Sequence, residues 1–515
     1  MEKLLPFEEE LLPKELPPSE DYSGVRKFKL RKLKEAGRDP FLQVSFERTH
    51  TIGECLNLFD APEETLEKTF VCLCGRVMGI RRHGKAIFLD LMDETGKIQL
   101  FMSLDVLGEE EFSWAKELDL GDILGAQGTL FRTKTGEPTL KVNGYTLLTK
   151  CIEPLPEKWH GLRDIEVRFR QRYLDLLMNP EVRERFRLRS KIISQMRRFL
   201  DEQGFIEVET MVLEPIAGGA TANPFITYYD ALDSDFYLRI AMELRHKRLI
   251  VGGFEKVYEI GRVFRNEGLS TKHNPEFTML ELYWAYVDYT EIMKLVENLL
   301  VDICDSCLGS RKIIREASDK KSVSAGQALV IDLTPPYPRE EFDDLLFRYT
   351  GARLSDLLER EAVVAKLQEL KIDFNKNHPY EKLLDELWKE AVEPNLIEPV
   401  FVLNYPVALS PLAKRIPDRP LFTYRFELFI NGMEVANAFS ELNDPIDQRV
   451  RMQEQIAHAV EGYRELDEDF LKALEVGMPP TGGLGIGIDR LIMLLTGQKS
   501  IREVILFPQL RKELS

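Results

Sequence analysis

Two arginines and a group of glutamates carry the chemistry open to this sequence. Arg265 stands in Val263-Phe264-Arg265-Asn266-Glu267-Gly268, and Arg490 in Gly487-Ile488-Asp489-Arg490-Leu491. A guanidinium stays charged and presents a planar fork of donors, which suits a phosphate or a carboxylate. Glu427 and Glu434 flank Asn431-Gly432, the dipeptide that most strongly signals a two-residue hairpin turn. That turn sets Phe429 opposite Glu434, so Glu427 lies diagonally across from Glu434 on the same face. Carboxylates so placed repel unless a cation sits between them, and a hard divalent ion with oxygen ligands, magnesium, suits the pair. Each signal also has a plainer reading. The segment around Arg265 alone also reads as a surface turn, the paired carboxylates as a solvated sheet face, and Arg490 as a salt-bridge partner of Asp489 or Glu503.

Three elements must position these groups. Residues 257–265 read as a strand, 266–275 carry turn chemistry, and 277–286 read as a second strand rich in aromatic and apolar residues. Alternation along the second strand puts Phe277, Met279, Glu281 and Tyr283 on one face, so an aromatic plate, a carboxylate and a phenol share a wall. Beyond the Asn-Gly turn, Asn437, Phe439 and Glu441 share a parity opposite to that of Glu434. For all four to line one pocket, the strand needs a bulge near Val435-Ala436. The third element is the glycine-studded strand at 482–487, running into an apolar helix through Leu495. Glycines at alternate positions clear one face for a flat ligand or another backbone. It is not a dinucleotide fingerprint, which needs its glycines after the strand and a βαβ unit around them.

The chain has 515 residues, 44% hydrophobic and 30% charged, which fits a soluble protein of several domains. A net charge of −17 argues against a nucleic-acid partner as a sum, but its distribution argues otherwise. Residues 26–34, Arg-Lys-Phe-Lys-Leu-Arg-Lys-Leu-Lys, form a dense basic helix behind an acidic, proline-rich tail. That helix suits a phosphate backbone; its plainer reading is a solvated helix packed by its leucines, and both can hold at once. The amino terminus carries Glu8-Glu9-Glu10 and prolines where a secretory signal needs a basic start and an apolar run. No run is long enough to span a bilayer, so the expectation is a cytoplasmic protein without a membrane partner. Six cysteines in this length do not make a disulfide framework, and Cys304/Cys307 and Cys72/Cys74 lack flanking histidines, so structural roles are expected over zinc or redox ones.

Short strands at 70–77, 86–91, 98–101, 123–131 and 139–142, with a helix around 114–118, read as a five-stranded OB-fold barrel. Such barrels bind single-stranded bases by stacking them on aromatic side chains. The expected organisation is an acidic tail and basic helical extension over 1–60, the barrel over 61–150, a charged linker over 151–178 and a catalytic body over 179–515. The body opens with an amphipathic helix at 182–203, Gly204, and a strand at 205–210.

Taken together, the strand pair around Arg265, the carboxylate hairpin and the glycine strand resemble motifs 2 and 3 of the class II aminoacyl-tRNA synthetases. Glu281-Leu282-Tyr283 and Asn437-Ala438-Phe439-Ser440-Glu441-Leu442-Asn443-Asp444 resemble the bacterial lysyl type of that family, and the likeness runs from about residue 26 to 511. The resemblance implies an α+β fold, with an N-terminal OB-fold β-barrel and a catalytic domain whose antiparallel sheet is flanked by helices. It implies ATP-dependent activation of L-lysine, transfer to tRNA(Lys), more than one Mg2+ per active site, and a homodimer built on the 182–210 region. By the same resemblance Arg265 and Arg490 are catalytic, and Glu427 and Glu434 hold metal. Arg265, Glu267, Lys272, His273, Asn274, Phe277, Gly485 and Arg490 would bind ATP. Glu281, Glu441 and Tyr283 would surround the lysine ε-amine, with Gly219 and Glu243 on the α-amine and Asn437 and Phe439 along the pocket. Phe88, Gln99, Glu137 and Arg76 would meet the anticodon; from the sequence alone, Phe88 reads more readily as core than as a stacking platform.

Departures from the family pattern are Met211 in place of proline, Lys272 where arginine is common, and Ala436 and Ala438 in place of glycines. Rival readings are an aspartyl or asparaginyl type, which needs a cation in the side-chain pocket, and a lysyl-transferase to a translation factor, which lacks the barrel. A catalytically inactive RNA-binding relative is a third, against which stand Arg265, Glu427, Glu434 and Arg490.

Overall fold

The computed structural model describes residues 11–156, 162, 164–220, 222–316, 328–458 and 465–511. The chain divides into two compact units, 1–161 and 162–515. The triplet Glu8-Glu9-Glu10 lies outside the described residues.

In the first unit, β1 (Phe70–His83), β2 (Ala86–Met92), β3 (Lys97–Ser103), β4 (Ile123–Arg132) and β5 (Pro138–Thr149) close into a barrel in the order β1-β2-β3-β5-β4. Alternation works as the sequence pattern requires: Ile87, Leu89 and Leu91 point into the core while Phe88 and Asp90 face out. The helix between β3 and β4 spans Leu104–Ala115, earlier than the expected 114–118, and Gly108 breaks its backbone with φ 79°. That glycine and the Glu109-Glu110-Glu111 run obscure its periodicity in the sequence. The basic helix is real and spans Tyr22–Glu35, capped by Asp21, which accepts from the Gly24 N–H at 2.8 Å. It packs through Leu30 and Leu33. Several of its cations are committed within the unit: Lys29 pairs with Asp119 at 2.7 Å, Lys34 with Asp39 at 3.0 Å, and Arg26 donates to the Leu120 carbonyl at 2.9 Å.

The second unit is built on an eight-stranded sheet. Its strands are β6 (Ile206–Glu207), β7 (Lys256–Phe264), β8 (Glu276–Ala285), β9 (Arg339–Glu341), β10 (Val400–Leu403), β11 (Arg425–Phe429), β12 (Glu434–Ser440) and β13 (Thr481–Gly487). Their order is β9-β10-β11-β12-β13-β8-β7-β6, antiparallel except at the two edges, where β6 runs parallel to β7 and β9 to β10. Helices Pro180–Glu202, Tyr289–Ile303 and Ile488–Leu495 supply Ile192, Met196, Leu299 and Ile492 to a core that Leu280, Leu282, Leu428 and Leu484 complete from the sheet. Only Ile206 and Glu207 of the expected 205–210 strand are in the ladder. Residues 164–178, read from the sequence as part of a linker, form helices Ile165–Arg170 and Arg172–Met178 in this unit. The charge that suggested a linker is buried there: Arg172 is 0% exposed, pairs with Asp175 at 2.5 Å and donates to the carbonyls of Arg502 and Leu506. A helical layer over residues 342–391 has its own core, with Trp388 stacked on Phe342 at 4.1 Å between ring centroids.

The hairpin of β11 and β12 turns through Asn431 and Gly432, both left-handed at φ 54° and 63°. Phe429 pairs with Glu434 but Leu428 pairs with Ala436, so Val435 is an extra residue. The expected bulge is present, and it returns Asn437, Phe439 and Glu441 to the face of Glu434. Among the described residues no helix is long and apolar enough to cross a membrane.

Gly432→Ala places a methyl on a left-handed residue, 3.3 Å from the Glu393 carbonyl oxygen. It should lower stability by about 1 kcal/mol, read as a shifted denaturant midpoint of the second unit.

Candidate active site

One face of the sheet, with the helical layer beside it, encloses a cavity of about 1520 Å³. Every site residue expected in this unit lines it: Gly219, Glu243, Arg265, Glu267, Lys272, His273, Asn274, Phe277, Glu281, Tyr283, Glu427, Glu434, Asn437, Phe439, Glu441, Gly485 and Arg490. Charge is segregated along it, with an anionic end around Glu281 and Glu441 and a mouth around Arg265 and Arg490, where Arg490 pairs with Glu434 of the carboxylate hairpin.

At the anionic end, register sets Glu281 opposite Gly485 and Tyr283 opposite Gly483, while Phe439 meets Gly483 from the other side. The glycine strand therefore runs between two strands that carry side chains, and its bare backbone gives those side chains room. A Cβ on Gly483 would lie 1.8 Å from Glu441 Oε1, so this carboxylate reaches its position only over a glycine. Glu281 is 4% exposed and Glu441 1%. Glu281 Oε1 accepts the Met242 N–H at 3.1 Å, and the Tyr283 hydroxyl donates weakly to Oε2 at 3.5 Å. Burial raises the Glu281 carboxyl above its usual range; Glu243 adds to this and His246 opposes it. The sequence reading missed Lys247, whose ammonium lies 2.6 Å from Glu243 and 2.5 Å from Glu441. Burial outweighs the pull of Lys247 and leaves both those carboxyls above their usual range, Glu441 well above it, whereas Lys247 itself, against its own burial, is held above its ordinary pKa by the two of them.

At the mouth, the Arg265 guanidinium lies 5.2 Å over the Phe277 ring, and its Nε reaches the Ile240 carbonyl at 3.4 Å. Arg490 pairs with Glu434 at 3.1 Å and meets His273 Nε2 at 3.1 Å. Neither salt-bridge alternative for Arg490 occurs: Asp489 binds Arg189 at 2.6 Å, and Glu503 binds Arg185 at 2.6 Å. Burial and then Arg490 depress His273 to about 4, so near neutral pH the imidazole is uncharged. Its Nε2 then accepts from Arg490 and its Nδ1 donates to Ser270 Oγ at 2.8 Å. Lys272 donates to the Gly432 carbonyl at 3.1 Å, bridging the loop after β7 to the hairpin turn. Asn274 is buried, and its Oδ1 has no hydrogen-bond partner within the described residues.

In the carboxylate hairpin, Glu427 accepts from Arg425 at 2.5 Å and from the Tyr405 hydroxyl at 2.7 Å. Burial raises it to about 7, with Arg425 opposing and Glu434 adding. Against burial, Arg490 and Arg425 keep Glu434 below the usual range. Glu393, on the turn after helix Tyr380–Ala391, is pushed up to about 8 by burial and by repulsion from Glu427 and Glu434. Among the described residues, no group of three or more His, Cys, Asp and Glu side chains is arranged to hold an ion. Two repelling carboxylates in one cavity do fit a Mg2+ whose remaining ligands are substrate oxygens and water, which is how that ion is usually held. A local signal existed for two residues that the sequence reading missed: Arg425 stands two residues from Glu427 on one strand face, and Lys247 one helical turn from Glu243. Tyr405, Lys389 and Glu393 carried no local signal, because the 342–411 region brings them in from far along the chain.

On the barrel of the first unit, Phe88 is half-buried on the outer face, 5.1 Å from Phe101, which lies 6.0 Å from Phe131. Gln99 Oε1 accepts from Thr139 at 3.1 Å, and Glu137 is exposed two residues before that threonine. Arg76 stands apart. It pairs with Met92, at the far end of β2 from Phe88, and donates to the Gly121 carbonyl at 2.8 Å.

Residues 164–511 match the family model of class II tRNA synthetases (D, K and N), and residues 71–148 match an OB-fold nucleic acid binding domain. A lysine–tRNA ligase of Moorella thermoacetica is 51% identical over 494 residues, 95% of this chain and 98% of that protein. One from Thermoanaerobacter pseudethanolicus is 49% identical over 490 residues, covering 95% of each chain. Another, from Dehalococcoides mccartyi, is 48% identical over 499 residues, 96% of this chain and 98% of that one.

Gly483→Ala would place a methyl 1.8 Å from Glu441 Oε1 and 2.8 Å from Tyr283 Cε1, so it must displace the Glu441 carboxylate and press on the Tyr283 ring. The expected result is an unchanged circular dichroism spectrum with binding of 1,5-diaminopentane weakened roughly tenfold by calorimetric titration, about 1.4 kcal/mol.

Proposed function

The chain belongs to the class II tRNA synthetases, and from that premise we propose that it charges tRNA(Lys) with L-lysine at the expense of ATP. The observation that carries the reading is the segregation of charge in one cavity, with Glu243, Glu281 and Glu441 at one end and Arg265 and Arg490 at the other. A basic amino acid and a polyphosphate would meet there head to head.

In the first step a carboxylate oxygen of lysine attacks the α-phosphorus of ATP, the bond to the bridging oxygen breaks, and pyrophosphate leaves. In the second, a 3′-terminal ribose hydroxyl of tRNA attacks the lysyl carbonyl and AMP leaves. Such phosphoryl chemistry needs positioning and charge neutralisation more than a protein nucleophile. Arg265 would hold the α-phosphate and the attacking carboxylate together, and Arg490 the γ-phosphate end. Phe277 would stack on adenine, Glu267 would meet its amino group, and Gly485, opposite Glu281, would leave room where ATP meets the amino acid. Lys272, neutral His273 and Asn274 would line the triphosphate. Glu427 and Glu434 would hold Mg2+, which when bound neutralises charge on the phosphate oxygens. Further carboxylates nearby, Glu393 and Asp385, are consistent with more than one ion.

For lysine, Glu281, Glu441 and Tyr283 would surround the ε-ammonium, Gly219 and Glu243 the α-ammonium, and Asn437 and Phe439 the aliphatic stem. A neutral side chain there would leave buried carboxylates unpaired, a penalty that discriminates strongly. Aspartate would add an anion to an anionic end. On the barrel, Phe88, Gln99 and Glu137 would read anticodon bases, with Phe101 and Phe131 extending the stack and Arg76 on a phosphate. The presence of the barrel speaks against a lysyl-transferase to a translation factor. A homodimer is supported by the exposed Ile206, Met211, Leu213, Ile226, Tyr228 and Leu232, apolar side chains that a second copy would cover. The cytoplasm is supported by cysteines that are all free.

Pyrophosphate exchange with each of the twenty amino acids should depend on lysine alone; exchange with aspartate would overturn the pocket assignment. Arg265→Ala should reduce the exchange rate at least 100-fold, from loss of about 3 kcal/mol of transition-state stabilisation. Sedimentation equilibrium should give twice the chain mass, and Ile206→Asp with Leu213→Asp should give the monomer.

A further inference from the structure

Lys247 lies behind the wall of the cavity and does not line it, while the carboxylates it touches do. It is 0% exposed, its ammonium bridges Glu243 and Glu441, and it sits 5.9 Å from the Phe439 ring. Two other cations act on this end across space, Arg425 on Glu243 and Arg265 on Glu281, but their direct contacts lie elsewhere. His246 Nε2 meets Glu259 at 3.1 Å, and Arg425 is directed to Glu427 and Asn437 at 2.5 and 3.0 Å. Among the described residues Glu281 has as hydrogen-bond donors the Met242 N–H and the Tyr283 hydroxyl, and Glu441 Oε1 has none.

We infer that Lys247 is a specificity-determining positioning residue: from behind the pocket it cancels one of three carboxylate charges, leaving two, the complement of a substrate with two ammonium groups. The inference rests on the lysine reading above and deepens it. Three like charges in a buried space cannot all stay ionised, so without Lys247 one carboxylate takes up a proton and the pocket loses a charge that the substrate needs. Because Lys247 lowers the pKa of Glu243 and Glu441, its removal raises both further above the usual carboxylate range. Lysine recognition then improves as pH rises and those carboxyls ionise.

The test is pyrophosphate exchange by the full chain between pH 6.5 and 8.5, for the wild type, Lys247→Met and Lys247→Arg. Lys247→Met should raise the KM for lysine roughly tenfold or more at pH 7, with the KM for ATP unchanged. That KM should fall more steeply with rising pH in Lys247→Met than in the wild type, and Lys247→Arg should recover most of the affinity. A Lys247→Met whose lysine KM has the wild-type value and pH profile, or whose only defect is a lowered kcat, would overturn the inference. Should Lys247→Met fail to fold, inhibition of the wild type decides: 1,5-diaminopentane should inhibit at least tenfold more tightly than 1-aminopentane, and equal inhibition would overturn the proposal. A wild type without lysine-dependent exchange would sink the lysine reading itself, and this inference with it.

Discussion

Burying several carboxylates at one end of an apolar sheet is the constraint on which the rest of this molecule depends. A buried carboxylate is tolerated only with a cation or hydrogen bonds. The second unit meets that demand locally with Lys247 for Glu243 and Glu441, the Met242 amide for Glu281, and Arg425 with Tyr405 for Glu427. These partners come from three places, the helix at Glu243–Val251 with its N-cap Met242, the strand β11 and the segment at Tyr405, so these and β8 must all hold their places for the charges to balance. The glycine strand belongs to the same arrangement, since any side chain at Gly483 would occupy the space of Glu441 Oε1.

The opposite end of the cavity follows the complementary logic. Arg265 and Arg490 converge without a full complement of anions of their own. Arg490 shares Glu434 and a histidine kept neutral by burial and by that same arginine. A site that is cationic at the mouth and anionic within orients a bipolar substrate before any chemistry occurs, which is the main contribution a protein makes to a reaction that needs alignment and neutralisation.

Much of this was legible in the chain. Period-two alternation on β8 gave one wall, and Asn431-Gly432 gave the register that placed Glu427 near Glu434 and required the extra residue found at Val435. The parts that escaped did so for identifiable reasons. The helix at Leu104–Ala115 is broken by a left-handed glycine, and the helices over 165–178 carry buried charge that reads as solvent-exposed. Tyr405, Lys389 and Glu393 reach the cavity through tertiary packing of the helical layer, and nothing in their local sequence marks them. The basic helix at Tyr22–Glu35 was identified as an element, but several of its cations neutralise groups of its own unit, a division of labour that composition does not reveal.

The extra residue at Val435 has a consequence for how this chain tolerates length variation. It acts as a phase marker between two stretches of the same strand: on the turn side the frame is set by Asn431-Gly432, and on the far side by pairing with β13. An insertion or deletion of one residue beyond it would invert which side chains see the interior while leaving the backbone pairing possible. The segment from Val435 to Glu441 is thus closed to single-residue length drift in a way that the surface loops of the helical layer are not.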